Sequence, residues 1–243
     1  MIYKMIQVLN KGFVTIIDNL GTDLTVVNAA RVSFGKKKKI YDDNDRKLVK
    51  YLIKHKHFSP FRHLMVQFHI KAPEFVMRQW YKHVVGCETT SSYATKDHAW
   101  NEISGRYVPM REYYYPQQFR RQSKNNKQGS QGVITNTRLH EIWDLAINFS
   151  QDCYNNLLME GVAKEQARCI LPLAVYTEVY WTASFQAIMN FIDLRNEKTA
   201  QWEIRKYAEI LLNCMHKLYP ETMKIWESVS NTVQKRTRSV SFT

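Results

Sequence analysis

Cysteine, proline and glycine are all scarce in this sequence. Four cysteines stand among 243 residues, with no CxxC pair and no histidine at a spacing typical of zinc sites. We therefore expect reduced, mostly structural thiols and no bound metal. Eight glycines and six prolines, beside 44% hydrophobic residues, indicate a folded globular protein.

Long apolar runs are also absent. No stretch approaches the length that a membrane-spanning helix needs. The N-terminal segment MIYKMIQVLNKGF lacks the charged-then-apolar layout of a signal peptide. We therefore expect a cytoplasmic protein that does not enter a membrane.

Acidic residues are outnumbered, with 22 Asp and Glu against 35 Lys and Arg, so that the formal net charge is +13. This charge favours polyanionic partners, either nucleic acid, whose phosphates release counterions, or small anionic ligands that a basic cleft attracts. Charge alone does not separate these partners. The run Lys36–Lys39 is interpreted as a solvated loop tip.

Strand-like patterns come early in the chain and helical patterns come late. IQVL and FVTIID flank the turn residues Asn10-Lys11-Gly12, HLMVQFHIKAP is apolar at alternate positions, and ISGRYVPMREYYYP is predicted to be extended. Helices are predicted over 23–34, after the N-cap candidates at 42–45, from Pro73, and over 135–160, 163–170, 183–193, 197–218 and a short stretch after Pro220.

The predicted fold class is α+β. One domain over 1–243 would have early antiparallel or mixed strands packed with helices, and a mostly helical C-terminal half. Residues 117–132 are polar and poor in apolar anchors, which predicts a mobile loop. The basic tail over 233–243 is predicted to fray.

The densest group of chemistry-bearing residues lies between Arg78 and Tyr107. In its first half, Arg78 and Lys82 are four residues apart, as are Gln79 and His83, so each pair would share a helix face. An amphipathic helix with a solvated basic edge explains this half at least as well as a binding site does.

The second half of this group, Asn101–Tyr107, contains Glu102, Ser104 and Arg106. If the backbone is extended, these three side chains share one face, and Gly105 lets a ligand approach closely. A carboxylate, a hydroxyl and a guanidinium in a row can bind sugar hydroxyls and phosphate. A plain exposed strand is the alternative.

Two arginines lie at the edges of apolar stretches, Arg168 before Cys169–Pro172 and Arg195 at the end of YWTASFQAIMNFIDLR. A desolvated arginine needs a paired partner or an anionic ligand, although snorkelling along a helix surface would also explain both positions. The histidines within His57–His63 follow a helix end, where a cation would interact with the helix dipole.

These segments, collinear over most of the chain, resemble the flavin-dependent thymidylate synthase family, known as ThyX. The matching stretches are Asn10–Gly12, Ala29–Ser33, His57–His63, Arg78–His83, Asn101–Tyr107 and Ala167–Trp202. The resemblance implies methylation of dUMP to dTMP, with FAD as cofactor, NADPH as reductant and 5,10-methylenetetrahydrofolate as carbon donor. It also implies a homotetramer whose active sites are shared between subunits, and no nucleophilic cysteine.

The resemblance assigns roles to individual residues. Arg195 matches the arginine that activates dUMP by stabilising loss of its N3 proton, and His57 matches a histidine near the flavin and folate. The other implied substrate contacts are Gln79, Trp80, Tyr81, Lys82, Glu102, Ile103, Ser104, Gly105, Arg106 and Arg168. The implied flavin contacts are Ser59, Lys82, His83, Val84, Glu102, Ser184, Phe185, Gln186 and Asn190.

The chain departs from the family pattern near the flavin. The family triplet Arg-His-Arg reads Lys82-His83-Val84, and additional residues around 85–97 separate it from Ser104. If the gap is placed earlier, Lys96 aligns with the second arginine instead. Lysine keeps the charge but loses the bidentate fork that grips phosphate.

Two other functions are consistent with the sequence. A nucleic-acid binder on the same fold would use the net charge and the stacking tyrosines Tyr113–Tyr115. An altered relative would still methylate a pyrimidine nucleotide, but with a modified base or by a different one-carbon route, and the insertion around 85–97 is the feature that suggests it. Nucleic acid is not expected as a partner, because the anionic ligands of the family already explain the charge.

Overall fold

The computed structural model describes residues 4–83, 98–125 and 129–240. Its strands are β1 Ile6–Val8, β2 Gly12–Leu20, β3 Met65–Pro73, β4 His98–Glu102, β5 Phe119–Gln122, β6 Ser130–Ile134 and β7 Tyr176–Ser184. Its α-helices are α1 Asp23–Arg31, α2 Asp43–Lys54, α3 Glu74–Trp80, α4 Arg138–Met159, α5 Lys164–Ala167, α6 Phe185–Arg195, α7 Trp202–Leu218 and α8 Pro220–Val240. Short 3-10 turns cover Val32–Phe34, Ser59–His63 and Arg168–Ile170.

A five-stranded antiparallel sheet in the order β1-β2-β3-β7-β4 organises the fold. The alternation along β3 is complete: Val66, Phe68, Ile70 and Ala72 are fully buried, while the residues between them are partly exposed. Because side chains of a strand alternate between faces, one face of the sheet lies on the core. The predicted α+β class and the early antiparallel strands are confirmed.

The C-terminal half is mostly helical, as predicted, but strand β7 within it was not predicted. This strand pairs with β3 on one side and β4 on the other, so it is the second-to-last strand of the sheet and hydrogen-bonds along both edges. Its sequence YTEVYWTAS is rich in β-branched and aromatic residues, which favour strands. Its partners lie far away in the chain, so local periodicity gave no sign of the pairing.

Helices α6, α7 and α8 pack with α1 and α2 in the core that covers the apolar face of the sheet. At the β1–β2 turn, a Cβ on Gly12 would lie 2.1 Å from the Tyr207 hydroxyl, which donates to the Lys71 carbonyl at 2.8 Å. Glycine is therefore required at this turn for packing.

An aromatic cluster joins α3 and α6 to the sheet. Trp80 is fully buried and stacks on Phe191 with ring centroids 4.3 Å apart, and its edge meets Trp181 at 5.4 Å. On the sheet, Trp100 stacks on Trp181 at 5.1 Å. Aromatic pairs in these geometries fix how neighbouring elements meet. The cluster thus sets the positions of the ends of α3 and α6.

The predicted mobile loop over 117–132 was wrong for the residues that form β5 and β6. These strands make a separate antiparallel hairpin, with Phe119 opposite Ile134. Phe119 also packs edge-on against Trp143 of α4 at 5.9 Å. The polar composition of this segment concealed the anchor.

The last helix is longer than predicted. We expected a short helix after Pro220 and a frayed tail over 233–243, whereas α8 continues to Val240. None of the helices in the described ranges is long and apolar enough to cross a membrane.

Candidate active site

A cavity of about 740 Å³ opens between the end of β4, α3 and the 3-10 turn that follows α5. We call it the acid–arginine cavity, because carboxylates and guanidinium groups of three elements converge there. Its lining includes Glu74, Arg78, Glu102, Ile103, Ser104, Gly105, Arg106, Met110, Glu165, Arg168, Cys169 and Thr177. The predicted stretch 102–106 and the predicted Arg168 are therefore brought together.

Two carboxylates of the acid–arginine cavity are held in different ways. Glu102, the last residue of β4, accepts a hydrogen bond from the buried Thr177 hydroxyl at 2.6 Å. Glu74, at the start of α3, has its pKa raised by burial and then by the charge of Glu102. Like charges at short range disfavour double ionisation. The pair therefore benefits from a bound hydrogen-bond donor, such as a hydroxyl.

The backbone beyond Glu102 turns instead of continuing the strand. The amides of Tyr107 and Val108 both donate to the Ser104 carbonyl, at 2.9 and 3.0 Å. The expected period-two face of Glu102, Ser104 and Arg106 was therefore wrong, because β4 ends at Glu102. The turn nevertheless brings all three residues to one cavity.

Gly105 allows a close approach, although the partner in this structure is a side chain. A Cβ on Gly105 would lie 3.1 Å from Cδ of Arg168 and 3.3 Å from Cγ of Met110. A larger residue would displace Arg168 from the cavity. Gly105 thus positions one of the predicted nucleotide-binding arginines.

A second group of predicted residues meets at the ends of α3 and α6. We call it the Arg195 cluster, comprising Lys82, His83, Phe191 and Arg195. Nε of Arg195 donates to Nε2 of His83 at 2.7 Å, and the His83 ring lies edge-on to Phe191 with centroids 5.0 Å apart. Within the described residues, no group accepts a hydrogen bond from the terminal nitrogens of Arg195.

Burial defines the electrostatics of the Arg195 cluster. Burial, and then the charge of Arg195, lowers the pKa of His83 to about 4. Burial also lowers the pKa of Arg195, without a carboxylate to counter it. A neutral imidazole can accept from the guanidinium, whereas a protonated one cannot. The cluster therefore holds a partly desolvated cation that is suited to an anionic ligand.

Gln79 lies elsewhere, beside a cavity of about 390 Å³ between the β5–β6 hairpin, α3 and α7. We call it the hairpin cavity; its lining includes Phe75, Gln79, Tyr114, Phe119, Arg120, Trp143, Gln201 and Glu203. Nε2 of Gln79 donates to Oε1 of Gln201 at 2.6 Å. Gln79 and Arg78 are adjacent in sequence, yet they line different cavities.

Three predicted contact residues have buried side chains. Trp80 and Phe185 are fully buried in the core. Ser184 is also buried, and its hydroxyl caps α6 by accepting from the Ala187 amide at 3.3 Å. These side chains lie behind the site, and the predicted ligand contacts at these three positions stay predictions.

The remaining predicted residues are distributed around the site. Gln186 and Asn190 are half-buried and four residues apart on α6, so they share a face. Tyr81 is half-buried and meets Trp100 edge-on at 5.0 Å. Lys82, His57 and Ser59 are exposed, and none of the three lines either cavity. Val84, Lys96 and the insertion at 85–97 lie outside the described residues.

Sequence reasoning missed Glu74 and Thr177, which support Glu102, and the residues that surround Gln79. A buried polar residue inside an apolar strand, such as Thr177 in β7, is the kind of signal that could have indicated the former. The contacts of Gln79 with Gln201 join distant segments and had no local signal. Among the described residues, no group of histidine, cysteine and carboxylate side chains could hold a metal ion.

Comparison with known proteins provides independent findings. Residues 15–221 match the family model described as thymidylate synthase complementing protein. A flavin-dependent thymidylate synthase of Thermus thermophilus is 41% identical over 216 residues, covering 88% of this chain and 75% of the relative. The flavin-dependent thymidylate synthase of Thermotoga neapolitana is 40% identical over 220 residues, covering 89% and 91%.

Solved structures agree with these relatives. A UMP/dUMP methylase, PolB from Streptomyces cacaoi, bound with 5-Br dUMP, superposes with a TM-score of 0.76 at 28% identity, covering 92% of this chain and 97% of that one. A second structure of the same methylase, bound with 5-Br UMP, superposes with a TM-score of 0.75 at 28% identity, covering 92% and 96%.

Proposed function

This chain belongs to the thymidylate synthase complementing protein family, as the sequence resemblance predicted, and we propose that it is a flavin-dependent thymidylate synthase that methylates dUMP to dTMP. The observation that carries the proposal is the acid–arginine cavity, where the predicted nucleotide-binding residues from β4 and from the turn after α5 meet. The proposed reaction also takes NADPH as reductant and 5,10-methylenetetrahydrofolate as carbon donor.

The acid–arginine cavity suits the phosphate and sugar of a nucleotide. Arg78, Arg106 and Arg168 are exposed and come from three separate elements, so they can surround a phosphate. Guanidinium groups bind phosphate oxygens through paired, charge-assisted hydrogen bonds. Glu102, fixed by Thr177, accepts hydrogen bonds and therefore suits a sugar hydroxyl.

Arg195 suits the pyrimidine ring. To lower the pKa of a bound base by one unit, the protein must bind its anion more tightly than its neutral form by about 1.4 kcal/mol. A charge-assisted hydrogen bond contributes roughly 1.5–3 kcal/mol, so Arg195 can account for one or two units at N3. Nε of Arg195 donates to His83, so its terminal nitrogens remain to donate to the pyrimidine ring.

The residues around the Arg195 cluster fit a flavin in part. Lys82, His83, Gln186 and Asn190 offer an ammonium, an imidazole and two amides, which match the phosphates and the polar ring edge of FAD. When bound, the flavin supplies the hydride that completes the methyl group. Lys82 holds phosphate as a point charge without the fork of an arginine.

Each protomer holds two separate halves of the proposed site, namely the acid–arginine cavity and the Arg195 cluster with Gln79. A homotetramer with shared active sites accounts for this separation. Arg195, His83 and Gln79 lie outside the acid–arginine cavity of their own chain. A neighbouring copy can supply the missing half if the two halves face each other across a symmetric interface. The exposed apolar stripe of α4, with Ile142, Leu145 and Phe149 three and four residues apart, supports assembly.

A second candidate substrate is UMP. One solved relative is a methylase of both UMP and dUMP, and it has been determined with an analogue of each nucleotide. The other sequence-based alternative, nucleic-acid binding, has no support from the relatives. A cytoplasmic location is part of the proposal, since the reduced thiols expected from the sequence suit it.

The test is product formation by the purified chain with FAD, NADPH and 5,10-methylenetetrahydrofolate. We expect a yellow protein that forms dTMP from dUMP, identified by mass spectrometry, with UMP and dCMP as competitors. Methylation of UMP in preference to dUMP would favour the second candidate. Failure to methylate any pyrimidine nucleotide with every component present would refute the proposed function.

A further inference from the structure

Glu203 of α7 is a buried carboxylate with defined partners. The residue is 3% exposed, and Oε1 accepts from Nη2 of Arg120 at 2.6 Å and from the Tyr114 hydroxyl at 3.0 Å. The Arg120 guanidinium, carried by β5, also lies over the Trp202 ring at 5.2 Å. The carboxylate of such a pair accepts hydrogen bonds and donates none.

The acceptor character of Glu203 determines how Gln201 is oriented. Nε2 of Gln201 donates to Oε2 of Glu203 at 3.0 Å. The opposite amide orientation would place two oxygens in contact, so the oxygen of Gln201 must face away from Glu203. That oxygen accepts from Nε2 of Gln79 at 2.6 Å.

Gln79 is constrained from a second direction. Its Nε2 also donates to the Phe75 carbonyl at 3.2 Å, so both amide hydrogens point at acceptors. Nitrogen and oxygen of an amide are normally assigned from such networks. Two acceptor-only groups, the Glu203 carboxylate and the Phe75 carbonyl, enforce the same orientation. No described residue donates to Oε1 of Gln79.

We propose that Arg120, Glu203 and Gln201 form an amide relay that fixes Gln79 with Oε1 as an outward acceptor for a hydrogen-bond donor of the nucleotide. This inference rests on the proposed function, which makes Gln79 a substrate contact. The relay residues are positioning residues, because they act on the nucleotide through Gln79. The β5–β6 hairpin thereby contributes to substrate selection, through Arg120.

The nucleotide offers two kinds of donor to a fixed acceptor. One is a sugar hydroxyl, which 2′,3′-dideoxyuridine monophosphate lacks. The other is the N3–H of uracil, which cytosine replaces with an acceptor, so that dCMP presents the wrong group. An analogue that lacks the donor leaves the oriented Gln79 oxygen without a partner, so the analogue binds more weakly.

The variant Glu203→Gln should break the relay. Arg120 only donates, so the oxygen of the new amide faces it and the NH2 group faces Gln201. Gln201 then turns its own NH2 group toward Gln79, whereas the Phe75 carbonyl still requires the NH2 group of Gln79. Gln79 can no longer satisfy both neighbours in one orientation, so its oxygen is no longer held outward. A merely structural role for Glu203 predicts equal losses for all nucleotides, whereas loss of the fixed orientation reduces the difference between dUMP and its analogues.

The experiment measures dissociation constants of dUMP, dideoxyuridine monophosphate and dCMP for the flavin-loaded protein. In the wild type we expect at least one analogue to bind about threefold to tenfold more weakly than dUMP. In Glu203→Gln that ratio should fall by about threefold or more. If Glu203→Gln fails to fold, a second variant, Gln201→Met, is used instead. It breaks the relay at an exposed residue. Glu209→Gln, on the same helix but paired with Lys206 at the surface, is the matched control and should keep the wild-type ratios.

The outcomes separate the two proposals. Wild-type protein that binds dUMP but shows the same ratios in Glu203→Gln and Gln201→Met overturns the relay alone. Wild-type protein that binds both analogues as tightly as dUMP also overturns it, because no donor is then recognised. Wild-type protein that binds no dUMP refutes the proposed function, and the relay with it.

Discussion

The acid–arginine cavity and the Arg195 cluster both present arginine, but in different surroundings. Arg78, Arg106 and Arg168 are exposed to water beside carboxylates, whereas Arg195 is partly buried and hydrogen-bonded to a neutral histidine. Charges exposed to water are weakened by the solvent and screened by salt. A desolvated charge acts more strongly at short range.

This difference indicates a division of labour between the two halves. The exposed arginines suit attraction and retention of phosphate, since phosphate binding does not require a single exact geometry. The buried arginine suits the ring, where the location of a proton decides the chemistry. The aromatic cluster around Trp80 and Phe191 supports the second half and fixes the ends of α3 and α6.

The largest expected effect is at Arg195. Arg195→Ala should keep the flavin, bind dUMP weakly and lose turnover by about a hundredfold or more, since the proposed contact to the pyrimidine ring would be lost both in the bound complex and in the transition state. Steady-state dTMP formation and flavin absorbance measure both. Arg195→Lys, which keeps the charge, should retain more activity. Near-normal turnover in Arg195→Ala would remove this residue from the mechanism.

A smaller effect is expected at Arg168. Arg168→Ala should weaken dUMP binding by about tenfold to a hundredfold, which corresponds to one charge-assisted hydrogen bond. Turnover at saturating dUMP should change little, and binding should become less sensitive to salt. Calorimetric titration at two ionic strengths measures this. Arg205→Ala, at an exposed ion pair on α7, is the control; a loss of equal size there would indicate a nonspecific charge effect.

Acid should destabilise the Arg195 cluster through His83. The folded-state pKa of about 4 lies below the ordinary value of 6.5, so the unfolded chain binds a proton first as the pH falls. The stability is therefore fully present above pH 6.5 and is lost as the pH falls toward 4. After a discount for the solvent that reaches the ring, we expect a loss of about 1 kcal/mol at pH 5.

Thermal unfolding of the wild type and His83→Gln at pH 7.5 and pH 5 measures this effect. The variant should lose less stability between the two pH values than the wild type, by about 2–4 °C in Tm. Identical acid sensitivity in both proteins would contradict the assignment of a neutral, buried His83.

The smallest effect is expected at Lys82. Lys82→Arg restores a bidentate fork and should tighten flavin binding by about twofold to fivefold. Fluorescence titration with FAD measures the change. Lys54→Arg, at an exposed position near the end of α2, provides the matched substitution. Unchanged FAD affinity in Lys82→Arg would place Lys82 away from the flavin phosphates.

The sequence predicted the fold class and grouped several residues that line one cavity, but it missed parts of the β-structure. Glu102–Arg106 and Arg168 were identified from a collinear resemblance, and their cavity forms even though the backbone turns where an extended strand was expected. The β5–β6 hairpin was missed because its composition is polar, and β7 was missed because its pairing partners are distant in the chain and leave no local pattern. The same reason concealed the bond between Gln79 and Gln201.

We propose that the two halves in one chain belong to different active sites. Arg195→Ala and Arg106→Ala should each be inactive alone. Co-refolding them in equal amounts should restore about one quarter of wild-type activity, because random pairing rebuilds sites in which both halves are intact. Each variant refolded with itself is the control. No recovery in a mixture that demonstrably forms hybrid oligomers would contradict the claim and place both halves in one protomer's site.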